Sequence, residues 1–314
     1  MHFVNSILAN ILLFSLFFYA MIKNKLVRRL LYIMEEKTIS VLCGSMVLLS
    51  VITVFIQAFL LWFFPGTPLS SPWGMVFISF YLIGCPVFFI LTRPLVSMPK
   101  TGSPLSFSSL ILFSFMCFCM TASFFFTQSV LTFYTLTSSL PFDSLTSFFS
   151  ILLFGCFLSP ILEEIIFRKI LFDKLSFVHP KTICFFSAFT FAVFHMNFFQ
   201  FIYTFFLGFL FALLYEKTSS LFYPILFHIA SNLWGSFLFP FIEWLLPYIP
   251  HKRIFYFILA LIFFLASVFL FAFNKKECQT LVPYNSSHKK WGKKLFLHPF
   301  FLLYSFLCFF MMSL

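Results

Sequence analysis

The sequence predicts an all-α, polytopic transmembrane helical bundle of eight to ten spans, with ten preferred. Three observations carry that expectation. The 314 residues are 61% hydrophobic and only 9% charged, with mean hydropathy +1.04, whereas soluble domains carry roughly 25% charged residues. Ten apolar runs, most of them near the roughly 20 residues that a helix needs to cross a bilayer, follow one another along the chain. All 20 Lys and Arg residues except Lys252 and Arg253 fall in the odd-numbered loops between those runs, as expected when these loops face the cytoplasm.

The first run, Val4–Ile22, has no basic region before it and no small-residue cleavage site after it. It reads as a retained span rather than a signal peptide. Loop one follows with Lys23, Lys25, Arg28, Arg29 and Lys37, then runs 40–64, 73–92 and 105–127, with Arg93 and Lys100 bounding the third loop. Residues 128–144 are more polar and read as an external loop with a short interfacial helix. Run 145–166 leads into Arg168, Lys169, Lys174 and Lys181. Runs 182–198 and 199–215 are interrupted only by Asn197 and Gln200, so their separation is the weakest boundary. Runs 219–240 and 254–273 come next, then a polar, lysine-rich stretch 275–294 that reads as a linker, then 295–314. Ten spans place both termini outside. The chain divides into N-terminal spans (1–144), a chemical core (145–240) and C-terminal spans (241–314).

Composition also excludes functions. The net charge of +11 is spread over short loops rather than one patch, so no nucleic-acid partner is expected. The eight cysteines are scattered, mostly inside apolar runs, without a Cys-x-x-Cys pair; they imply neither a disulfide framework nor a zinc cluster. The 58 phenylalanines read as lipid-facing bulk.

The chemistry centres on Ile161–Arg168, I-L-E-E-I-I-F-R. A charge at the centre of a transmembrane helix costs roughly 2.5–3.5 kcal/mol on insertion scales and is kept mainly for a purpose. Only nine residues in the chain are acidic, and Glu163 and Glu164 are adjacent here. Arg168 lies one turn beyond Glu164 and can pair with it. Glu163 points about 100° away round the helix and is the carboxylate left free for chemistry. Further on, His195 ends F-T-F-A-V-F-H, and His228 and Asn232 share a helical face in H-I-A-S-N. A carboxylate and an imidazole can together hold and deprotonate a water, while a second imidazole and an amide can donate to the oxyanion of a tetrahedral intermediate. No serine or cysteine stands in a nucleophile motif such as G-x-S-x-G. The rival use of Glu163, His195 and His228 is as three ligands of a catalytic zinc. No H-E-x-x-H is present, and the expectation is no cofactor, with zinc as the alternative.

E-E-I-I-F-R (163–168), F-A-V-F-H (191–195) and H-I-A-S-N (228–232) occur in the order of the E-E-x-x-x-R, F-x-x-x-H and H-x-x-x-N motifs. The chain thereby resembles the intramembrane glutamic endopeptidases of the CAAX-protease and bacteriocin-processing (CPBP, or Abi) family, over about residues 145–240. The resemblance implies a helical-bundle peptidase whose cavity opens toward the cytoplasm. In it Glu163 and His195 activate the water, His228 and Asn232 form the oxyanion hole, and Glu164 tied to Arg168 supports them. It favours the metal-free mechanism. The expected partners are the lipid bilayer and a membrane-associated protein or peptide substrate, prenylated or not. The expected location is a bacterial cytoplasmic membrane. Two readings compete. One is a non-catalytic membrane protein of bacteriocin-immunity type. The other is a proton-coupled transporter, against which no pair of interrupted helices recurs in two halves of the chain.

Overall fold

The computed structural model describes residues 25–97, 102–131, 145–245, 252–274 and 286–313. Ten helices account for most of them, and no strand occurs among the described residues. We label them α1 (Lys25–Phe63), α2 (72–92), α3 (Phe107–Leu131), α4 (145–174), α5 (Pro180–Phe194), α6 (Phe198–Thr218), α7 (Phe222–Leu245), α8 (Lys252–Phe273), α9 (Ser286–Phe296) and α10 (Pro299–Ser313). Seven of these helices (α1–α4 and α6–α8) are long and apolar enough to cross a membrane, and the chain is a multi-pass membrane protein. α5 and α10 are apolar but have 15 residues each, about 22 Å at 1.5 Å per residue, short of a bilayer core of about 30 Å. The first apolar run and most of the loop expected at 128–144 lie outside the described residues.

The weakest boundary in the sequence is a real one. His195 caps the end of α5, Met196 turns the chain with φ 48°, and the Asn197 side chain accepts from the Gln200 amide to start α6. A positive φ is uncommon for a residue other than glycine, and one is needed here to reverse the chain.

Contacts between chain ends sort the helix termini onto two faces. On one face Lys174 Nζ donates to the Leu95 carbonyl (2.5 Å) and the Ser103 amide donates to the Lys217 carbonyl (3.3 Å). Lys294 there pairs with Glu36 at 3.1 Å. On the opposite face the Ser129 hydroxyl reaches Glu243, Gln57 donates to Ser79 (3.3 Å), and Ser123 donates to the Ala260 carbonyl (2.9 Å). The first face carries the basic loops; Lys252 and Arg253, at the start of α8, belong to the second.

Three details depart from expectation. The stretch read as a linker contains helix α9, because Trp291 and Leu295, four apart, bury one side of it against Tyr32 and Phe177 while Lys293 stays exposed. α10 is not set apart: it packs along α1, and the Tyr304 hydroxyl donates to the Thr190 carbonyl of α5 at 2.7 Å. Phenylalanine is not confined to lipid-facing sites, since Phe113, Phe167, Phe172, Phe186, Phe191 and Phe211 are all fully buried.

Candidate active site

The site begins with an irregularity in α4. Ahead of Pro160 the helix runs in wide π register, with the Ser159 amide donating five residues back to the Phe154 carbonyl. The next donor in that register would be residue 160 and its acceptor the Gly155 carbonyl, but proline has no amide hydrogen. The Asn232 side chain of α7 supplies it instead, Nδ2 to the Gly155 oxygen at 2.9 Å. The Tyr81 hydroxyl of α2 donates to the neighbouring Phe154 carbonyl at 3.0 Å. π turns are frequent at functional sites, and this one ties α4 to two other helices.

Glu163 and Glu164 follow one turn later. Glu163 takes a hydrogen bond from the Ser159 hydroxyl at Oε1, and its Oε2 lies 3.7 Å from His228 Nε2. Glu164 is fully buried and accepts at Oε1 from both Arg168 Nη1 (2.9 Å) and His228 Nδ1 (2.8 Å). A carboxylate only accepts, so the hydrogen on that bond sits on His228 Nδ1 and Nε2 is turned toward Glu163. The His228 ring is thus held between two carboxylates.

Arg168 is also fully buried, within α4 rather than in the loop that its charge suggested. Its Nη2 donates to the Gly208 carbonyl of α6 at 3.0 Å, and its guanidinium lies 4.4 Å above the Phe191 ring and 5.5 Å from that of Phe211. Planar, weakly hydrated guanidinium suits such stacking where an ammonium does not. Gly208 is required by close approach: a Cβ there would stand 2.7 Å from Phe191 Cδ1 and 3.1 Å from Arg168 Nη2.

His195, at the end of α5, donates from Nδ1 to the Phe191 carbonyl at 2.8 Å. A carbonyl also only accepts, so Nε2 carries the free lone pair. Phe191 meets both His195 and His228 edge to face, with centroids 4.8 and 5.5 Å away.

Glu163, His195, His228 and Asn232 all line one cavity of about 640 Å³, enclosed by α1 to α7. Glu164 and Arg168 are not in its wall; they form the layer behind it. The sequence analysis named none of Ser159, Tyr81, Pro160 and Gly208 as parts of this site. Ser159 stood four residues before Glu163, the spacing of a helical neighbour, and was legible there. Tyr81 and Gly208, on other helices, carried no signal. Among the described residues no group of three or more His, Cys, Asp and Glu side chains is arranged to hold a metal ion.

Several acidic residues outside the site are buried too. Asp173 is buried, with Lys169 at 3.0 Å and the Tyr215 hydroxyl at 3.4 Å. Glu216 and Glu243 are buried as well. None of the three lines the cavity.

Residues 145–234, which hold all four cavity residues, match the family model described as Rce1-like, type II CAAX prenyl endopeptidase. That segment, less than a third of the chain, is similar to the CAAX-protease family. The match falls on the same segment as the three short motifs and supports a CAAX-type intramembrane protease in general. No curated protein and no solved structure matches the chain.

Proposed function

We propose that this CAAX-protease family member is a glutamic endopeptidase that cuts a peptide bond of a membrane-associated protein or peptide with a water held by Glu163 and His195. The observation that carries the reading is the shared cavity: four groups from α4, α5 and α7 converge on it, two of them, Glu163 and His228, only 3.7 Å apart. Glu163 takes a proton from the water, and the hydroxide adds to the scissile carbonyl carbon. His195 Nε2, with its lone pair free, accepts a hydrogen bond from the same water and orients it. The tetrahedral oxyanion receives hydrogen bonds from Asn232 and His228. Asn232 spends one Nδ2 hydrogen on Gly155 and has a second to give. His228, whose Nδ1 hydrogen goes to Glu164, has one to give at Nε2 in its imidazolium form. Collapse breaks the C–N bond, and the proton held by Glu163 passes to the leaving amine. Glu164, Arg168 and the Gly208 carbonyl act behind this set by fixing the His228 ring. A bacterial cytoplasmic membrane fits the short loops, and a prenyl group on the substrate is not required by this chemistry.

Lipid-reconstituted protein incubated with a mixed library of prenylated and unprenylated peptides, read by mass spectrometry, tests the proposal. Cuts should appear with the native chain, survive a chelator, and disappear in folded Glu163→Gln protein. Cuts that persist in the variant would refute the role of Glu163, and cuts lost to the chelator would return the site to the zinc alternative.

A further inference from the structure

We infer that Ser159 is a positioning residue for Glu163, and that Asn232 and Tyr81 keep its hydroxyl free for that task. What Glu163 does rests on the peptidase reading; how it is held rests on geometry alone. In a helix, a serine or threonine hydroxyl commonly turns back onto the carbonyl four residues earlier. This chain does so repeatedly. Thr53, Ser79, Thr92, Ser114, Thr190 and Thr204 each donate to that carbonyl at 2.7–2.9 Å. Ser159 behaves differently: its hydroxyl donates one turn forward, to Glu163 Oε1.

The local backbone supplies the reason. The carbonyl four residues before Ser159 is that of Gly155, and it accepts from Asn232 Nδ2 at 2.9 Å. The carbonyl five residues before, that of Phe154, accepts from the Ser159 amide and from the Tyr81 hydroxyl at 3.0 Å. Tyr81 also stands beside the Ser159 side chain. In a regular α-helix the Ser159 amide itself would fill the Gly155 carbonyl; the π register and Pro160 leave that carbonyl to Asn232. Both upstream acceptors are thus engaged from α7 and α2. The Glu163 carboxylate is the acceptor left for the Ser159 hydroxyl, and hydrogen bonds to charged groups are the stronger kind.

A carboxylate turns easily about its last bond, which would exchange its two oxygens in front of the water. The bond from Ser159 prevents this. Oε1 is engaged, and Oε2, 3.7 Å from His228 Nε2, is the oxygen left to take the proton. Ser159, Tyr81, Glu163 and Asn232 all line the same cavity. The Asn232 amide group serves two ends there. One hydrogen holds the Gly155 carbonyl, and with it the turn that carries Ser159; the other is the one assigned to the oxyanion. General base and oxyanion donor are thereby kept in one register across α4 and α7, which sets the reacting groups before the substrate arrives.

Ser159→Ala, Ser159→Thr, Tyr81→Phe and the Ser159→Ala/Tyr81→Phe pair are compared as full-length, lipid-reconstituted protein. The substrate is a peptide that the native chain cuts and folded Glu163→Gln protein does not. In Ser159→Ala, kcat should fall roughly 10–10²-fold with KM unchanged, the cost of a reacting group displaced by up to about 1 Å. Ser159→Thr should restore most of the loss. Tyr81→Phe should lower kcat in the native background, because it vacates the Phe154 carbonyl for the Ser159 hydroxyl. In Ser159→Ala it should have no further effect, as expected of groups that act through one another. Ser114→Ala, which removes a back-bonded hydroxyl away from the cavity, should leave kcat unchanged. A second readout needs no cleavage. The infrared carboxylate stretch of Glu163, isolated by subtracting the spectrum of the matching Glu163→Gln protein, should shift in Ser159→Ala and return in Ser159→Thr. Native kcat in Ser159→Ala, or an unshifted band, would overturn the inference and leave the peptidase reading intact. Equal losses from Tyr81→Phe in both backgrounds would remove Tyr81 from it. A native chain that cuts no peptide would sink the peptidase reading and the catalytic use of Ser159 with it, and the band alone would then decide the hydrogen bond.

Discussion

Glu163 and Glu164 are neighbours in sequence, yet they belong to two regions with opposite physical demands. Glu163 stands in the cavity wall, where its partners are a serine hydroxyl and, at a longer 3.7 Å, an imidazole nitrogen. Glu164 stands in the layer behind that wall, fully buried, with one oxygen shared between a guanidinium and the other nitrogen of the same imidazole. A wall residue keeps room for a water and can change its proton count. A residue of the layer cannot lose its partner without leaving a charge stranded in low dielectric. The difference shows how two identical side chains, about 100° apart on one helix, come to serve chemistry and architecture separately. His228 joins the regions, because its ring is positioned by the layer and presented to the wall.

The comparison can be broken or sharpened by substitution. Arg168→Ala should have the largest effect, removing the guanidinium bonded to Glu164 and costing roughly 3–5 kcal/mol; the thermal midpoint in detergent should fall sharply and the amount of folded protein with it. Arg168→Lys should not restore it, since one ammonium cannot reproduce the two-point, stacked geometry. Glu163→Gln should do the opposite, leaving the midpoint in place while cleavage falls by about 10²–10⁴-fold, the usual worth of a general base. Asn232→Ala should touch both regions: about 10²–10³-fold in turnover for a lost oxyanion donor, plus a measurable drop in midpoint because the Gly155 carbonyl loses its donor. Gly208→Ala should cost about 1–3 kcal/mol, typical of overpacking, by pushing Phe191 and Arg168 apart. Tyr304→Phe, far from the cavity, should be the mildest, about 1 kcal/mol for one net hydrogen bond to Thr190, with cleavage unchanged.

Much of this was legible in the chain. Helical class and membrane residence follow from composition and run length. The Glu164–Arg168 pair follows from the spacing of residues one turn apart on a single helix, and His228 and Asn232 were placed on one face for the same reason. Even the break between α5 and α6 was marked, by Asn197 and Gln200. Other features were hidden because their cause lies on another helix. Pro160 was visible, but nothing beside it announced that the Asn232 amide, 77 positions from Gly155 in sequence, would occupy the freed Gly155 carbonyl. Asp173 carries no local sign of burial; the Tyr215 hydroxyl that meets it lies 42 positions on. The linker at 275–294 looked polar because four lysines surround Trp291 and Leu295, the two residues that bind α9 to the body of the protein.

By itself, then, the sequence determined that the protein is helical and membrane-embedded, which loops are basic, and which few ionisable residues lie within its apolar runs. Each of these depends on transfer of side chains from water to lipid, a property of every residue and its near neighbours. Tertiary structure alone decided that His228 faces both carboxylates, that Gly208 admits the arginine, and that Glu163, His195, His228 and Asn232 line one cavity. Those facts depend on how helices distant in sequence are juxtaposed. Hydropathy and helical periodicity specify which way a side chain points around its own axis, and leave open what it meets there.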